Sequence, residues 1–122
     1  MNNNINKTNY HDNLKRLMDE LVHHVYNISA RFPKEEQFGL TSQLRRATLS
    51  IILNYIEGFA RQRKQVFKNF LEISYGSLKE VKYLLYFSYK RKYINEKEYQ
   101  KAIDYTEEIG KMTWGILINL KK

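Results

Sequence analysis

Residues 41–62 read TSQLRRATLSIILNYIEGFARQ, and this stretch decides the fold class. It contains no proline and no strict alternation of apolar and polar residues, so its pattern is that of an α-helix. At about 100° per residue, the polar side chains fall within a strip of about 80°, and apolar or small side chains fill most of the remaining circumference. Thr41 or Ser42 is placed to cap the first turn. The stretch therefore predicts a long helix with a wide apolar surface.

Three further amphipathic helices flank this one, because apolar residues recur at three- and four-residue steps on both sides of it. They cover residues 12–32, 65–89 and 95–121. Pro33 stops the first helix, and Asn95 with Glu98 forms a capping-box pattern at the start of the last. We predict an all-α, antiparallel up-down four-helix bundle that makes one domain of residues 1–122, with residues 1–10 frayed.

The composition is typical of a small globular protein. Of the 122 residues, 43% are apolar or aromatic and 28% are charged, which provides both a core and a solvated surface. The longest apolar runs fall far short of the roughly 20 residues of a membrane helix, and the first residues lack the apolar stretch of a secretory signal. The absence of cysteine excludes disulfides, thiolate nucleophiles and sulfur-ligated zinc. We expect a cytoplasmic protein that does not bind membranes.

The second helix has more apolar surface than an outer helix of a small bundle, which usually shows a stripe of little more than 100°. Either this helix is the most central one of the monomer, or another copy of the chain covers the surplus. We favour the second interpretation and expect an obligate homo-oligomer. Gly58 and Gly76 lie inside predicted helices, where glycine costs roughly 1 kcal/mol relative to alanine, so we expect close backbone approach at both. The predicted interface residues are Leu49, Ile52, Leu53, Ile56 and Ala60.

The net charge of +8 is concentrated in one third of the chain, since residues 61–92 alone have a net charge of +7. On the third helix, lysines and tyrosines share a band of about 100° opposite the predicted core. Ammonium groups neutralise phosphates and phenol rings stack on bases, so this face predicts nucleic-acid binding. The predicted binding residues are Arg45, Arg46, Arg61, Arg63, Lys64, Lys68, Lys79, Lys82, Lys90, Arg91 and Lys92.

Other interpretations of this basic face stay open. Lysine stems lying over tyrosine rings are also typical of an ordinary solvated helix surface. A basic surface also suits anionic lipid or an acidic protein, although a membrane-bound helix needs a free apolar face that the bundle uses for its own core. The alternative function is therefore a protein-interaction scaffold for an acidic partner.

The sequence shows no catalytic or metal-binding pattern. The Glu-x-x-His signature of di-iron bundles, a glycine-rich phosphate loop and a Gly-x-Ser-x-Gly elbow are all absent. Side chains at four-residue spacing on one helix predict surface pairs instead of a metal site or a general acid. These pairs are Asp19 with His23, Glu20 with His24 and Glu57 with Arg61. We expect a protein that is not an enzyme and that holds no metal or cofactor.

Two motifs resemble those of a known family. The first is LTSQLRRA at residues 40–47 followed by NYIEGFAR at residues 54–61, and the second is FKNFLEISYGSLKE at residues 67–80. Over nearly its whole length, the chain resembles the bacterial four-helix-bundle proteins encoded in intervening sequences of 23S rRNA genes. It departs from them at Ile56, where alanine is usual, and at the sequence RKYI of residues 91–94, where Leu-Gly-Tyr-Ile is usual.

This resemblance implies a homopentameric ring of bundles, often with a positively charged inner surface. It also implies kinship with the accessory variability protein of diversity-generating retroelements, a non-catalytic partner that binds nucleic acid and a reverse transcriptase. Arg45, Arg46 and Arg61 match the family's motif arginines, whereas Asn54, Glu57, Gly58, Gly76 and Glu80 match its helix-packing positions. We expect a homo-oligomer that binds RNA or DNA through phosphates, with a protein such as a reverse transcriptase as the alternative partner.

Overall fold

A computed structural model describes the chain from residue 3 to residue 120, with side chains from residue 9 to residue 120. It consists of four α-helices and one 3₁₀ turn, and these residues contain no strand. The elements are α1 (Asn3–Ser29), the 3₁₀ turn (Lys34–Glu36), α2 (Leu40–Ala60), α3 (Lys64–Lys90) and α4 (Glu96–Leu120). The all-α, four-helix prediction is confirmed. None of these described helices has the length and apolar character needed to cross a bilayer.

The helices form a closed square in which each one packs against two others. α2 lies between α1 and α3, and α4 lies between α3 and α1; no close backbone contact crosses the diagonals of the described bundle. Because the links between helices are short, successive helices run antiparallel. The α1–α2 and α3–α4 links therefore share one end of the bundle, which we call the two-link end. The α2–α3 link, the start of α1 and the end of α4 make up the one-link end.

Aromatic side chains close both ends. At the two-link end, the ring of Tyr93 lies 5.5 Å from that of Phe32, and its hydroxyl donates to Oε2 of Glu36 at 3.0 Å. At the one-link end, Nδ1 of His11 hydrogen-bonds the hydroxyl of Tyr55. Burial raises the pKa of Tyr55, so this hydroxyl stays protonated. The contacts of Tyr93 join the two links, and the contact of His11 joins α1 to α2.

The core consists mainly of aliphatic side chains that line the axis of the bundle. The α1 stripe predicted from periodicity is buried over its whole length, and α3 and α4 face it with leucine, valine and isoleucine. The largest fully buried side chains are Tyr55, Leu14, Met18, Leu21, Leu44, Ile51, Leu71, Leu78, Leu85, Ile109, Val25 and Val81. This core uses one face of each helix, which is why periodicity alone identified it.

α2 and α3 approach each other closely. The hydroxyl of Ser74 donates to the carbonyl of Ile51 at 2.7 Å, and the hydroxyls of Ser50 and Ser77 lie 2.8 Å apart. Close approach at Gly58 is confirmed, because a Cβ there would collide with α3. At Gly76 the expectation of close backbone approach is wrong, since no other atom of the described chain lies within 4 Å of an added Cβ. That glycine sits on the outer surface of α3.

The helix ends show which capping predictions hold. The capping box of α4 is confirmed: the N–H of Glu98 donates to Oδ1 of Asn95 at 2.8 Å, and the N–H of Asn95 donates to Oε1 of Glu98 at 3.0 Å. The cap predicted for α2 is wrong, because the helix begins at Leu40 and its N-cap is Gly39, with no side-chain cap. Thr41 is instead buried in the first turn.

The start of α1 also differs from the expected one. The sequence indicated a frayed segment at residues 1–10, whereas α1 begins at Asn3; Met1 and Asn2 lie outside the described residues. Tyr10 explains part of the difference, since its hydroxyl donates to the carbonyl of Met112 in α4 at 2.9 Å. The first helix also ends earlier than expected, at Ser29, while the bounds of the other three differ from the prediction by one or two residues.

The C-terminus of α3 ends in a residue with left-handed backbone. Lys92 has φ 65°, its N–H donates to the carbonyl of Tyr89, and the N–H of Tyr93 donates to that of Ser88, both at 2.9 Å. This pair of bonds is a Schellman motif, which glycine favours at the position that Lys92 occupies. Lys92 is also the position at which the family that the sequence resembles usually has glycine, so the chain places a side chain where the backbone favours none.

Candidate nucleic-acid interface

The predicted cations do not form one patch, because the bundle distributes them over four regions. They lie along α3 (Lys68, Lys79, Lys82, Lys90), at the one-link end (Arg61, Arg63, Lys64), at the two-link end (Arg91, Lys92) and on α2 (Arg45, Arg46). With 27 residues and a rise of 1.5 Å per residue, α3 separates the two ends by about 40 Å. The structure therefore spreads the positive charge along a line.

A row of lysines follows the outer face of α3. Lys68, Lys79 and Lys90 recur every eleven residues, which is close to three full turns, so they point in nearly the same direction at intervals of about 16 Å. Lys79 and Lys90 are exposed, and Lys68 is half-buried. We call these three residues the lysine row.

Exposed aromatic rings accompany the lysine row. Tyr83 and Tyr86 are 61% and 47% exposed, and their ring centroids are 6.4 Å apart. The ammonium group of Lys79 lies 5.0 Å above the ring of Tyr75, which is 5.7 Å from the ring of Trp114 in α4. Trp114 is not among the predicted binding residues, because nothing in the sequence shows which face of α4 lies beside α3.

A carboxylate of α4 offsets part of this charge. Nζ of Lys82 lies 2.6 Å from Oε1 of Glu107. The hydrogen bond from Lys82, its charge and that of Lys79 lower the pKa of Glu107, so the pair stays ionised at neutral pH. Lys82 therefore connects α3 to α4, and we do not count it in the lysine row.

Two of the motif arginines have partners within the bundle. Arg45 donates to Oγ of Ser29 at 2.8 Å and to the carbonyl of Tyr26 at 3.2 Å, and its guanidinium lies 4.5 Å above the Tyr26 ring. These contacts connect α2 to α1. Arg61 forms the predicted ion pair with Glu57. Both arginines thus stabilise the fold, whatever else they bind.

A basic pocket opens at the two-link end, and we call it the link pocket. Its volume is about 610 Å³, and the residues around it include Arg31, Tyr89, Lys90, Lys92 and Tyr93. Arg31 is not among the predicted binding residues; it follows α1 and forms an ion pair with Glu98 of α4. Its place just before Pro33 marks it as a link residue, but only the antiparallel topology brings it beside the α3–α4 link.

The predicted oligomer interface lies on the outer surface of α2. Leu53 and Ile56 are 57% and 45% exposed, Ala60 is exposed, and Leu49 and Ile52 are half-buried. Leu49, Leu53, Ile56 and Ala60 follow one another at steps of four, three and four residues, which is the spacing of a coiled-coil seam. We call these four residues the apolar ridge. No other part of the described chain covers the exposed members of this ridge.

A second exposed apolar group lies in the α1–α2 link. Phe38 is 91% exposed, more than any other large apolar side chain in the described part of the protein. Arg46 and Gln43 of α2 and Glu80 of α3 lie around the same shallow depression. An exposed phenylalanine beside an arginine is typical of a protein contact.

The histidines and carboxylates are dispersed. Within residues 9–120, no three His, Asp or Glu side chains come together as a metal site. Nε2 of His23 lies 3.3 Å from Oδ1 of Asp19, as predicted. Glu20 instead pairs with Arg16 at 2.5 Å, so the predicted pair of Glu20 with His24 is wrong.

The fold and the two helix motifs are shared with known proteins. The family model described as 23S rRNA-intervening sequence protein matches residues 13–115, which reach from α1 into α4. The chain belongs to this family. Membership in the 23S rRNA-intervening sequence protein family confirms the resemblance that the α2 and α3 motifs indicated.

A solved structure shows the same fold. It is a protein of unknown function from the S23 ribosomal protein family of Bacteroides thetaiotaomicron VPI-5482, and it is similar to this member of the 23S rRNA-intervening sequence protein family with a TM-score of 0.81. The two are 24% identical, and the match covers 88% of this chain and 97% of the other. No curated protein sequence matches the chain.

Proposed function

We propose that this protein is a non-enzymatic, homo-oligomeric protein that binds the phosphates of RNA or DNA through the lysine row of α3. The observation that supports this function is the geometry of the row. Three ammonium groups lie along one helix face over about 33 Å, with exposed rings between them. An extended polyanion matches such a line and releases counterions along its whole length, whereas a small anion reaches a single lysine.

The exposed rings favour unpaired nucleotides. Tyr83 and Tyr86 each expose about half of their surface or more, and stacking of a base on an aromatic ring needs the face of that base to be free. A duplex hides these faces inside its stack. We therefore propose single-stranded RNA or DNA as the preferred ligand.

Self-association would cover the apolar ridge of α2. A different face of α3, about 100° around the helix from the lysine row, offers a second apolar surface, where Ile73 is 52% and Phe87 is 36% exposed. Because these two surfaces differ, contact between them is head-to-tail, and such contacts form a ring where the rotation between successive copies closes. A pentamer, which the family resemblance implies, would have five times the +8 charge of one chain and would repeat the lysine row with the corresponding gain in avidity.

A filter-binding series at increasing salt tests the nucleic-acid function. We expect the triple variant Lys68→Ala, Lys79→Ala, Lys90→Ala to bind a single-stranded 30-mer about tenfold or more weakly and with a salt slope reduced by about 2 to 3. The matched control is Lys15→Ala, Lys97→Ala, Lys101→Ala, which removes the same charge from exposed positions of α1 and α4. Equal losses in the two variants would show that only net charge matters and would contradict a site on α3.

The second candidate function is a protein-interaction scaffold for an acidic partner or a reverse transcriptase. The exposure of Phe38 favours it, because an aromatic side chain with 91% of its surface exposed is typical of a contact with another protein. A pull-down from nuclease-treated lysate discriminates between the two. A protein partner that is retained by the wild type and lost with Phe38→Ser supports the scaffold, and loss of all partners on nuclease treatment supports nucleic-acid binding.

A further inference from the structure

The link pocket gathers three positive charges from two separate parts of the chain. Arg31 follows α1, Lys90 ends α3, and Lys92 lies in the α3–α4 link. The antiparallel topology brings the three together, although 59 residues separate Arg31 from Lys90. Tyr89 and Tyr93 line the same pocket. A concave site with convergent cations is better suited to a compact anion than the open face of a helix.

One wall of the pocket and the backbone of its link are fixed before any ligand arrives. Tyr89 stacks on Tyr99 of α4 with ring centroids 4.6 Å apart and an interplanar angle of 9°. The two Schellman hydrogen bonds fix the backbone at Lys92. The backbone of Lys92 lies in the left-handed region, where glycine would be less strained. A preorganised pocket wall loses less entropy when a ligand binds.

The carboxylates near the pocket are already engaged. Glu98 pairs with Arg31 and accepts the N–H of Asn95 at 3.0 Å. Glu36 accepts the hydroxyl of Tyr93 at 3.0 Å and lies outside the pocket lining. The lining therefore contains three cations and one carboxylate, which leaves a charge of +2 for a ligand.

We propose that the link pocket binds the terminal phosphate monoester of a nucleic-acid strand. This inference rests on the proposed function, because Lys90 belongs both to the lysine row and to the pocket. A strand that follows the row towards the two-link end reaches the pocket with its terminus. A phosphate monoester has a charge of about −1.5 to −2 at pH 7, which matches the +2 of the lining, whereas an internal phosphodiester has a charge of about −1.

The test compares one single-stranded 30-mer in three forms: with a 5′-phosphate, with a 3′-phosphate and with hydroxyl groups at both ends. We expect one of the phosphorylated forms to bind the wild type about tenfold more tightly than the hydroxyl form at 150 mM salt, which is the scale of one or two charge-assisted hydrogen bonds. Inorganic phosphate at millimolar concentration should remove this advantage and weaken the binding of the hydroxyl form much less, since of the pocket's cations only Lys90 also belongs to the lysine row.

The variant Lys92→Gly provides the sharper test, because it removes the cation and relieves the backbone, so its fold is retained. We expect it to abolish the advantage of the terminal phosphate while the hydroxyl form binds within about threefold of wild type. The matched control, Lys97→Gly, lies in the first turn of α4 outside the lining and should keep the advantage. The variant Lys90→Gln should weaken the binding of all three forms of the 30-mer, because Lys90 belongs to both sites.

The outcomes separate the two proposals. If the three forms bind the wild type equally well, the pocket inference is overturned and the proposed function stands. If no form binds, both are overturned. If inorganic phosphate binds the pocket but a terminal phosphate does not raise the affinity of a strand, the pocket is a site for small anions. The inference about strand ends is then wrong.

Discussion

A Cβ atom added to Gly58 of α2 would lie 2.7 Å from the Cβ of Phe70 in α3 and 3.1 Å from Cδ1 of Phe67. Real Cβ atoms do not approach one another this closely, and the Cβ of Phe70 is held by the backbone of its helix. The absence of a side chain at Gly58 thus sets the distance between α2 and α3 at the one-link end.

We expect Gly58→Ala to lower the free energy of unfolding by about 1–2 kcal/mol, because overpacking outweighs the higher helix propensity of alanine. Urea denaturation followed by circular dichroism measures the change. Gly76→Ala is the matched control: nothing lies within 4 Å of its added Cβ, so it should raise the free energy of unfolding by up to about 1 kcal/mol. A stabilised Gly58→Ala variant would contradict the close approach.

The apolar ridge gives a prediction about assembly. Leu53→Asp combined with Ile56→Asp should dissociate the oligomer, because it places two charges where another copy would pack, while the exposed positions keep the bundle folded. Multi-angle light scattering measures the mass, and circular dichroism checks the helix content. Ile118→Asp is the control, since Ile118 is also exposed but lies on α4. A wild-type mass of 14.8 kDa at micromolar concentration would contradict self-association.

The backbone at Lys92 gives a prediction about stability. Lys92→Gly should raise the free energy of unfolding by about 1 kcal/mol, because a left-handed conformation costs an L-residue roughly 1–2 kcal/mol and glycine avoids this cost. Lys101→Gly, in the exposed interior of α4, should instead lower it by up to about 1 kcal/mol. Thermal or urea unfolding distinguishes the two, and equal destabilisation would exclude a strained Lys92.

Glu98 gives a prediction about pH. Partial burial raises its pKa, but the N–H of Asn95 and the guanidinium of Arg31 outweigh burial and hold the pKa below its ordinary value of 4.5. Because the folded pKa is lower than the unfolded one, this stabilisation is complete above pH 4.5 and is lost as the pH falls through the folded pKa.

The measurement is the free energy of unfolding of the wild type and of Glu98→Gln between pH 7 and about pH 3. We expect the variant to be less stable at pH 7 and to lose less stability on acidification. Glu96→Gln, at an exposed position in the same turn, serves as control and should follow the wild type. Parallel pH profiles for Glu98→Gln and the wild type would contradict the assignment.

Helix number, core and the α4 cap were predictable from sequence because each depends on residues close together in the chain. The stripe from Leu14 to Phe32 needs only the period of 3.6 residues, and the box of Asn95 and Glu98 needs only three residues of spacing. The α2 cap was not predictable in this way. Thr41 has the right residue type, but its side chain is buried in the first turn, and burial depends on the other helices.

The candidate site depends more strongly on tertiary structure. The eleven-residue spacing of Lys68, Lys79 and Lys90 is present in the sequence, so the row can be recognised without a structure. The position of Arg31 in the link pocket cannot be recognised from the sequence, because two links far apart in sequence meet only when the four helices run antiparallel. The same holds for Glu107. Its pairing with Lys82 lowers the positive charge of the α3 face, which the sequence alone overestimates.

The length of α3 fixes the distance between the two cationic ends of the bundle. The ends are about 40 Å apart, and nucleotides in a helically stacked strand advance by about 3.4 Å. A strand that stays stacked therefore needs about 12 nucleotides to reach from Arg63 to Arg91, and a strand whose bases unstack onto Tyr83 and Tyr86 needs fewer. In the proposed binding mode, the protein would select its ligands by length, through the number of turns in one helix.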